Sequence, residues 1–321
     1  MELLNASSTA LELYCSSSLT TAYCVSFLVF DAVLFLGITI GNTLVVLSVV
    51  LFSNMRSSTT NIFLASLAVA DLSVAFLCIP IDVMLALGVV GDVSPLVCLI
   101  GSQLTSVSFA VSANHLVVVA YDRFLAISRP LHYPGHMTTT RVRFLIFASW
   151  SVAILLSLVP FFGWNSLGTY DLGYCDLLFI HPFSYRCTAV VFLAFVPFTM
   201  MGYFYWRIFK VAREQRRRIR EQTQVLHLSK RKLGLELKAA KTVGLIMGIF
   251  ILEYTPASLV SCADVVFTVE ELAVFKLFSF HLLYSNSAVN PMMYAFRSKE
   301  FRGGFVKLLR TVFPCGTKRD Q

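Results

Sequence analysis

The residues able to do chemistry in this chain are ionisable groups set in apolar surroundings. Asp71 stands between charge-free runs at residues 57–70 and 72–81, and Glu253 interrupts the run 242–263. The pair Asp122-Arg123 closes another run, residues 93–121. A charge inside so apolar a helix is costly unless paired, and at membrane depth it marks an ion site, a proton path or a switch. Nucleophile-and-base chemistry is not visible. Six His are scattered, with His115 and His281 in apolar runs and His132 and His136 in a polar stretch. None stands at metal-ligand spacing with a Glu. Neither a Gly-x-Ser-x-Gly elbow nor a phosphate-cradling loop is present. The sequence therefore argues against an enzyme, and His115 reads as a hydrogen-bonded interior residue.

Such residues need a scaffold, and the composition names its class. Of 321 residues 57% are hydrophobic and only 14% charged, whereas soluble domains run near 45–50% apolar and about 25% charged. Disordered, collagenous and disulfide-scaffold classes are excluded by this low polarity, by 16 Gly and by 8 thinly spread Cys. A bilayer core of ~30 Å needs about 20 mostly apolar residues per helix. Runs of that kind lie at residues 32–55, on both sides of Asp71, and at 93–121, 144–170, 187–206, 242–263 and 277–296. They are too long and continuous for the alternating ten-residue strands of a barrel. Neither internal repeats nor paired broken helices argue for a transporter. The expectation is an all-α membrane protein, a seven-transmembrane helix bundle at residues 25–296. An N-terminal segment (1–24) precedes it, and a short amphipathic eighth helix with a tail (297–321) follows.

The net charge of +8 has a direction. Of 26 Lys and Arg, only Arg186 and Lys276 fall in loops on the N-terminal side; the other 24 lie on the opposite side. The positive-inside rule places the N-terminus outside, and the basic excess becomes a topology and lipid signal rather than a nucleic-acid footprint. Asn5-Ala6-Ser7 is then an extracellular glycosylation sequon. A cleaved signal peptide is not expected, because the first residues lack a charged n-region.

One short motif falls on each span: Gly41-Asn42, Leu67-Ala68-Val69-Ala70-Asp71, Asp122-Arg123-Phe124, Trp150, Pro197, Phe250 with Pro256, and Asn290-Pro291-Met292-Met293-Tyr294. Together and in this order they resemble the rhodopsin-like family of G protein-coupled receptors over about residues 25–310. On span three, Thr105, Phe109, Ser112, Leu116, Val119 and Arg123 recur at alternating spacings of four and three, which is one helix face.

The resemblance implies roles. Arg123 pairs with Asp122 and with Glu236 at the base of span six in the inactive state, then turns towards Tyr205 and Tyr294 when a cleft opens for a heterotrimeric G protein. Leu131 and the basic stretch Arg213–Arg220 would line that dock. Asp71 with Asn42, Ser112, Asn286 and Asn290 resembles a sodium-binding pocket, the one cofactor-like ion expected. Cys98 and Cys175 resemble the family's outer disulfide, while Cys187 is a less natural partner. Cys15 and Cys24 are candidates for a second bridge, and Cys78 and Cys262 read as buried thiols. Phe301, Phe305 and Leu308 set against Arg302, Lys307 and Arg310 form the amphipathic helix, with Cys315 a palmitoylation candidate beyond it. The expected location is the plasma membrane.

Within the family, Glu236-Leu237-Lys238-Ala239-Ala240-Lys241-Thr242 is similar to adenosine and trace-amine receptors, and Gly163-Trp164-Asn165 and Asp31 are similar to adenosine receptors. The departures are at ligand positions. Thr105 stands where aminergic receptors carry an Asp. Ser261 and Leu177-Leu178 replace the adenosine receptors' Asn and Phe-Glu. Tyr284 replaces both the opsin Lys and the His that faces the outer carboxylate, and Glu253-Tyr254 replaces the usual pair on span six. The inferred pocket is Thr105, Ser106, Phe109, Tyr254, Ser258, Ser261, Phe280 and Tyr284, apolar with hydroxyls. An ammonium buried there would lack a partner, so an uncharged nucleoside-like or lipid-like small molecule is favoured. An amine using Asp31 or Asp82, or a constitutively active receptor, are the alternatives.

Overall fold

The computed structural model describes residues 21–86, 94–168, 180–221, 227–263 and 269–312, all placed in helices or short connections. Among the described residues seven long helices follow one another. They are α1 (Thr21–Leu51), α2 (Thr59–Ser73, continued to Ala86), α3 (Pro95–Ser128), α4 (Thr139–Leu158), α5 (Phe183–Val190, continued to Glu221), α6 (His227–Ala263) and α7 (Val269–Arg297). A shorter α8 (Lys299–Val312) follows. Six of them carry apolar stretches long enough to cross a membrane, and α7 completes the ring by packing on α6, α1 and α2. This is the expected seven-helix membrane bundle.

The apolar stretches explain the arrangement. α3 contacts α2, α4, α5 and α6, and 67% of its most apolar stretch is buried, against 22% for α4 and 17% for α5. The stripe predicted on α3 is this buried face: Thr105, Phe109, Ser112, Leu116, Val119 and Arg123 are all inside. Exposed side chains on the perimeter, such as Val33, Phe147, Phe195 and Leu252, are apolar, as helices facing lipid require.

Prolines shape the helices locally. A proline cannot donate to the carbonyl four residues earlier. Pro80 and Pro197 relieve this through π-helical turns, Val74–Cys78 in α2 and Val191–Phe195 in α5, which contain the affected carbonyls of Phe76 and Leu193. In α7, Pro291 would strand the carbonyl of Ser287. Asn42 Nδ2 of α1 donates to it at 2.9 Å and also to Ile38 O at 3.0 Å. The approach needs Gly41, where a Cβ would lie 2.6 Å from Pro291 Cγ. The Gly41-Asn42 motif thus repairs the bend at Pro291.

α8 turns away after Ser298, whose Oγ accepts from Phe301 N at 3.3 Å and caps the helix. Phe301, Phe305 and Leu308 are buried while Arg302, Lys307 and Arg310 face out. The ring of Phe301 stacks on Tyr294 at 5.3 Å.

Candidate functional site

Three polar layers are threaded through the bundle. At the Arg123 end of α3, Arg123 Nη2 lies 2.7 Å from Asp122 Oδ2 and also bonds Thr60 Oγ1 of α2. Asp122 is fully buried. It accepts from Thr60 (2.6 Å) and Thr59 (3.2 Å) of α2 and from the hydroxyl of Tyr133 (2.6 Å) in the α3–α4 connection. Burial beside this carboxylate pushes the Tyr133 phenol well above its ordinary range, so it stays a donor. A buried ion pair supplied with this many hydrogen bonds holds a defined arrangement. The threonines of α2 and Tyr133 are partners that sequence inspection missed. The side chain of Glu236 lies outside the described residues. Tyr205 donates to Ala240 O of α6 at 2.8 Å, fastening α5 to α6. Tyr294 is buried with its hydroxyl unpartnered among the described residues. Leu131 stands 89% exposed next to this layer.

The middle layer contains two carboxylates served by successive residues of α7. Asp71 of α2 accepts from Ser287 Oγ at 2.8 Å and Asn290 Nδ2 at 2.9 Å, with Ser112 beside it. Glu253 of α6 accepts from Ser285 Oγ at 3.1 Å and Asn286 Nδ2 at 2.8 Å. This amends the expected five-residue set around Asp71. Asn286 shares a helix face with Asn290 but lies one turn away along α7, which brings it to Glu253 of α6 while Asn290 meets Asp71 of α2. Ser287, overlooked in the sequence, takes its place. Asn42 reaches the layer through the Ser287 carbonyl. Two buried amide oxygens here, Asn42 Oδ1 and Asn290 Oδ1, accept from no donor among the described residues. With a carboxylate and hydroxyls they form an oxygen-rich donor set, which fits a hard cation. His115 is the interior residue expected, bonded to Val111 O (2.8 Å) and Ser66 Oγ (2.8 Å).

The third layer, at the Cys98 end, surrounds a cavity among α3, α5, α6 and α7. Thr105, Ser106, Phe109, Tyr254, Ser258, Ser261 and Phe280 line it, as do Ser102, His181, Tyr185 and Arg186. Tyr284 does not. It is 1% exposed, stacked on Phe109 with ring centroids 5.8 Å apart, and its hydroxyl bonds Asp82 of α2. A Tyr and an Asp on adjacent helices satisfy each other, which removes both from the lining. Asp31 pairs with His281 Nε2 at 3.2 Å. The His that the sequence comparison sought at position 284 is thus supplied one turn earlier on α7.

The lining's hydrogen-bonding character follows from its partners. Thr105, Ser106, Ser258 and Ser261 each donate to the carbonyl four residues back, between 2.8 and 3.1 Å, leaving oxygen lone pairs for a visitor. Tyr185 donates to Gln103 Oε1 (3.3 Å), Gln103 Nε2 donates to Ser102 Oγ (3.1 Å), and both Gln103 Nε2 and Ser102 Oγ lie 2.9 Å from His181 Nε2. His181 Nδ1 is buried without a partner among the described residues. Burial, and then the nearby Arg186, lower the His181 pKa to about 4, so the ring is neutral. Arg186 donates to Ser261 O at 3.0 Å and His181 O at 3.1 Å. None of the described lining residues is a carboxylate.

Cys98 packs on Leu99 and Ile180 and is disulfide-bonded. Its expected partner Cys175 lies outside the described residues, as do Asn5, Cys15 and Cys315 and the side chain of Cys24.

Comparison with known proteins gives the same architecture a lineage. Residues 41–294 match the family described as 7 transmembrane receptor (rhodopsin family). The human 5-hydroxytryptamine receptor 4 is 32% identical over 316 residues, covering 89% of this chain and 79% of the relative. Bovine adenosine receptor A2b is 33% identical over 297 residues (86% and 87%), and canine adenosine receptor A2a 32% over 290 (85% and 69%). The chain carries the family's fold: it belongs to the rhodopsin family of seven-transmembrane receptors, and is a receptor and a multi-pass membrane protein, not an enzyme.

Proposed function

We propose that this receptor binds a neutral small molecule in the cavity at the Cys98 end, faces that end outside the plasma membrane, and activates a heterotrimeric G protein at the Arg123 end. The observation that carries the ligand class is the lining itself. It offers one unpartnered ring nitrogen, His181 Nδ1, a set of hydroxyl oxygens with lone pairs, and the rings of Phe109, Tyr254 and Phe280. A flat or lipid-like molecule with both donors and acceptors matches this set; an ammonium finds no carboxylate on the described lining. Relatives named for adenosine and for 5-hydroxytryptamine bracket the two chemistries. The amine alternative would require Asp82 to leave Tyr284.

At the opposite end, the Arg123–Asp122–Thr60 cluster holds α3 to α2, and Tyr205 holds α5 to α6. Ligand binding shifts the population towards a state in which these contacts yield and a cleft opens. Arg123, Glu236, Tyr205, Tyr294 and exposed Leu131 form the coupling surface. Asp71, Ser112, Asn290 and the orphaned amide oxygens would hold a sodium ion that favours the closed state, because its charge complements Asp71 within the packed bundle. Membrane lipids flank α8, whose basic face suits an anionic inner leaflet.

The test is cellular cyclic AMP against nucleosides, amines and lipid amides, in wild type and His181→Phe. A response to a neutral class, weakened by the substitution, supports the assignment. A response confined to amines and lost in Asp82→Asn would replace it with the amine alternative.

A further inference from the structure

Beside the cavity, α5 and α6 each present one cysteine to the other. Cys187 lies in the first two turns of α5 and Cys262 is the penultimate residue of α6. Their Sγ atoms are 3.2 Å apart, within contact and about an ångström beyond a covalent sulfur–sulfur bond of ~2.05 Å. The residues that precede them are already clamped, since Arg186 Nε donates to Ser261 O at 3.0 Å. The two sulfurs are thus held opposite one another by a contact independent of either of them. Cys98, at the same end of the bundle, is disulfide-bonded, which places this end in a compartment where disulfides form and persist.

We propose that Cys187 and Cys262 are joined by a disulfide in the mature receptor, a covalent clip between α5 and α6 at the mouth of the cavity. The oxidant is a disulfide donor of the secretory pathway. The Cys187 thiolate attacks the donor disulfide and releases one donor thiol, forming a mixed disulfide. The Cys262 thiolate then attacks the Cys187 sulfur and releases the second donor thiol. Two receptor thiols are oxidised, one donor disulfide is reduced to two thiols, and the two protons lost by the cysteines end on the donor.

The clip has a mechanical consequence. Cys262 lies six residues past Pro256, the proline inside α6, and its neighbour Ser261 lines the cavity opposite Arg186. With the two ends tied there, relative movement of α5 and α6 is confined to the Tyr205–Ala240 end. The wall of the cavity keeps its spacing while the other end opens.

The test is peptide mapping of full-length receptor taken from the cell surface and denatured in N-ethylmaleimide without reductant, so that every thiol is labelled. The expected result is a cross-linked peptide joining Cys187 to Cys262, which disappears on reduction, with neither residue carrying the label. Labelling of both cysteines, or a cross-link from either to a different cysteine, would overturn the proposal. A second measurement uses Tm of Cys187→Ala, Cys262→Ala and the double variant. A disulfide predicts the same downward shift in all three, since either substitution breaks the whole bond. A double variant that melts lower by the sum of the single shifts contradicts it. Neither readout needs a ligand or a G protein, so each stands whatever the receptor binds.

Discussion

Asn42 on α1 donates its side-chain amide to the backbone carbonyl of Ser287 on α7, the carbonyl that Pro291 cannot bond. The motifs Gly41-Asn42 and Asn290-Pro291, far apart in the sequence, are thereby parts of one joint. Losing the donor leaves a buried carbonyl unsatisfied, which costs about 1–3 kcal/mol. Asn42→Ala should therefore lower the Tm of detergent-solubilised receptor. Gly41→Ala should do so as well, because its methyl would meet Pro291 Cγ at 2.6 Å and overpacking costs about 1–3 kcal/mol. A Tm unchanged in both variants would mean that the joint contributes nothing.

Glu253 ties α6 to α7 through Ser285 and Asn286, directly below the cavity. Glu253→Ala removes the acceptor for a buried amide, at a cost of about 1–3 kcal/mol, and frees α6 to move. Basal cyclic AMP signalling, corrected for surface expression, should depart from wild type while the Tm falls. Signalling and melting both at wild-type levels would show the link to be idle.

Sodium should stabilise the receptor through Asp71. Melting in sodium chloride should exceed melting in an equal concentration of choline chloride, and Asp71→Asn should abolish the difference. An equal sodium response in the variant would place the ion elsewhere or nowhere.

His181 introduces a pH dependence. Its folded pKa is about 4 against an ordinary 6.5. Below 6.5 the unfolded chain binds the proton that the folded chain refuses. The stability this neutral ring contributes is complete above about 6.5 and is lost as pH falls towards 4. At pH 5 the loss is about 2 kcal/mol by linkage. Tm should drop more between pH 7.5 and pH 5 in wild type than in His181→Phe, and equal drops would refute the assignment.

Much of this was legible before any coordinates. Charge-free runs locate every long helix because bilayer thickness sets a length that few other constraints imitate, and the α3 stripe identifies its buried face through period alone. What escaped depends on depth along a helix and on which neighbour stands at that depth. Asn286 and Asn290 look equivalent in the chain, yet one faces Glu253 and the other Asp71. Position matching points to Tyr284, yet His281, one turn away, is the residue that reaches Asp31. His181 and Arg186 sit at the beginning of α5, where no periodic pattern announces a lining residue. Thr59, Thr60 and Tyr133 gave no signal, since single hydroxyls become partners of Asp122 only through packing.

In the proposed function, ligand in the cavity loosens the contacts of Arg123 and so opens a surface for a G protein. The most direct test is nucleotide exchange on purified G proteins by receptor in lipid nanodiscs, with wild type, Arg123→Ala and Thr60→Val side by side. Ligand-accelerated exchange is expected in wild type, none in Arg123→Ala, and raised ligand-free exchange in Thr60→Val, where α2 loses its bond to Arg123 and keeps only Thr59 on Asp122. Exchange by Arg123→Ala equal to wild type, at matched receptor and ligand, would contradict that function.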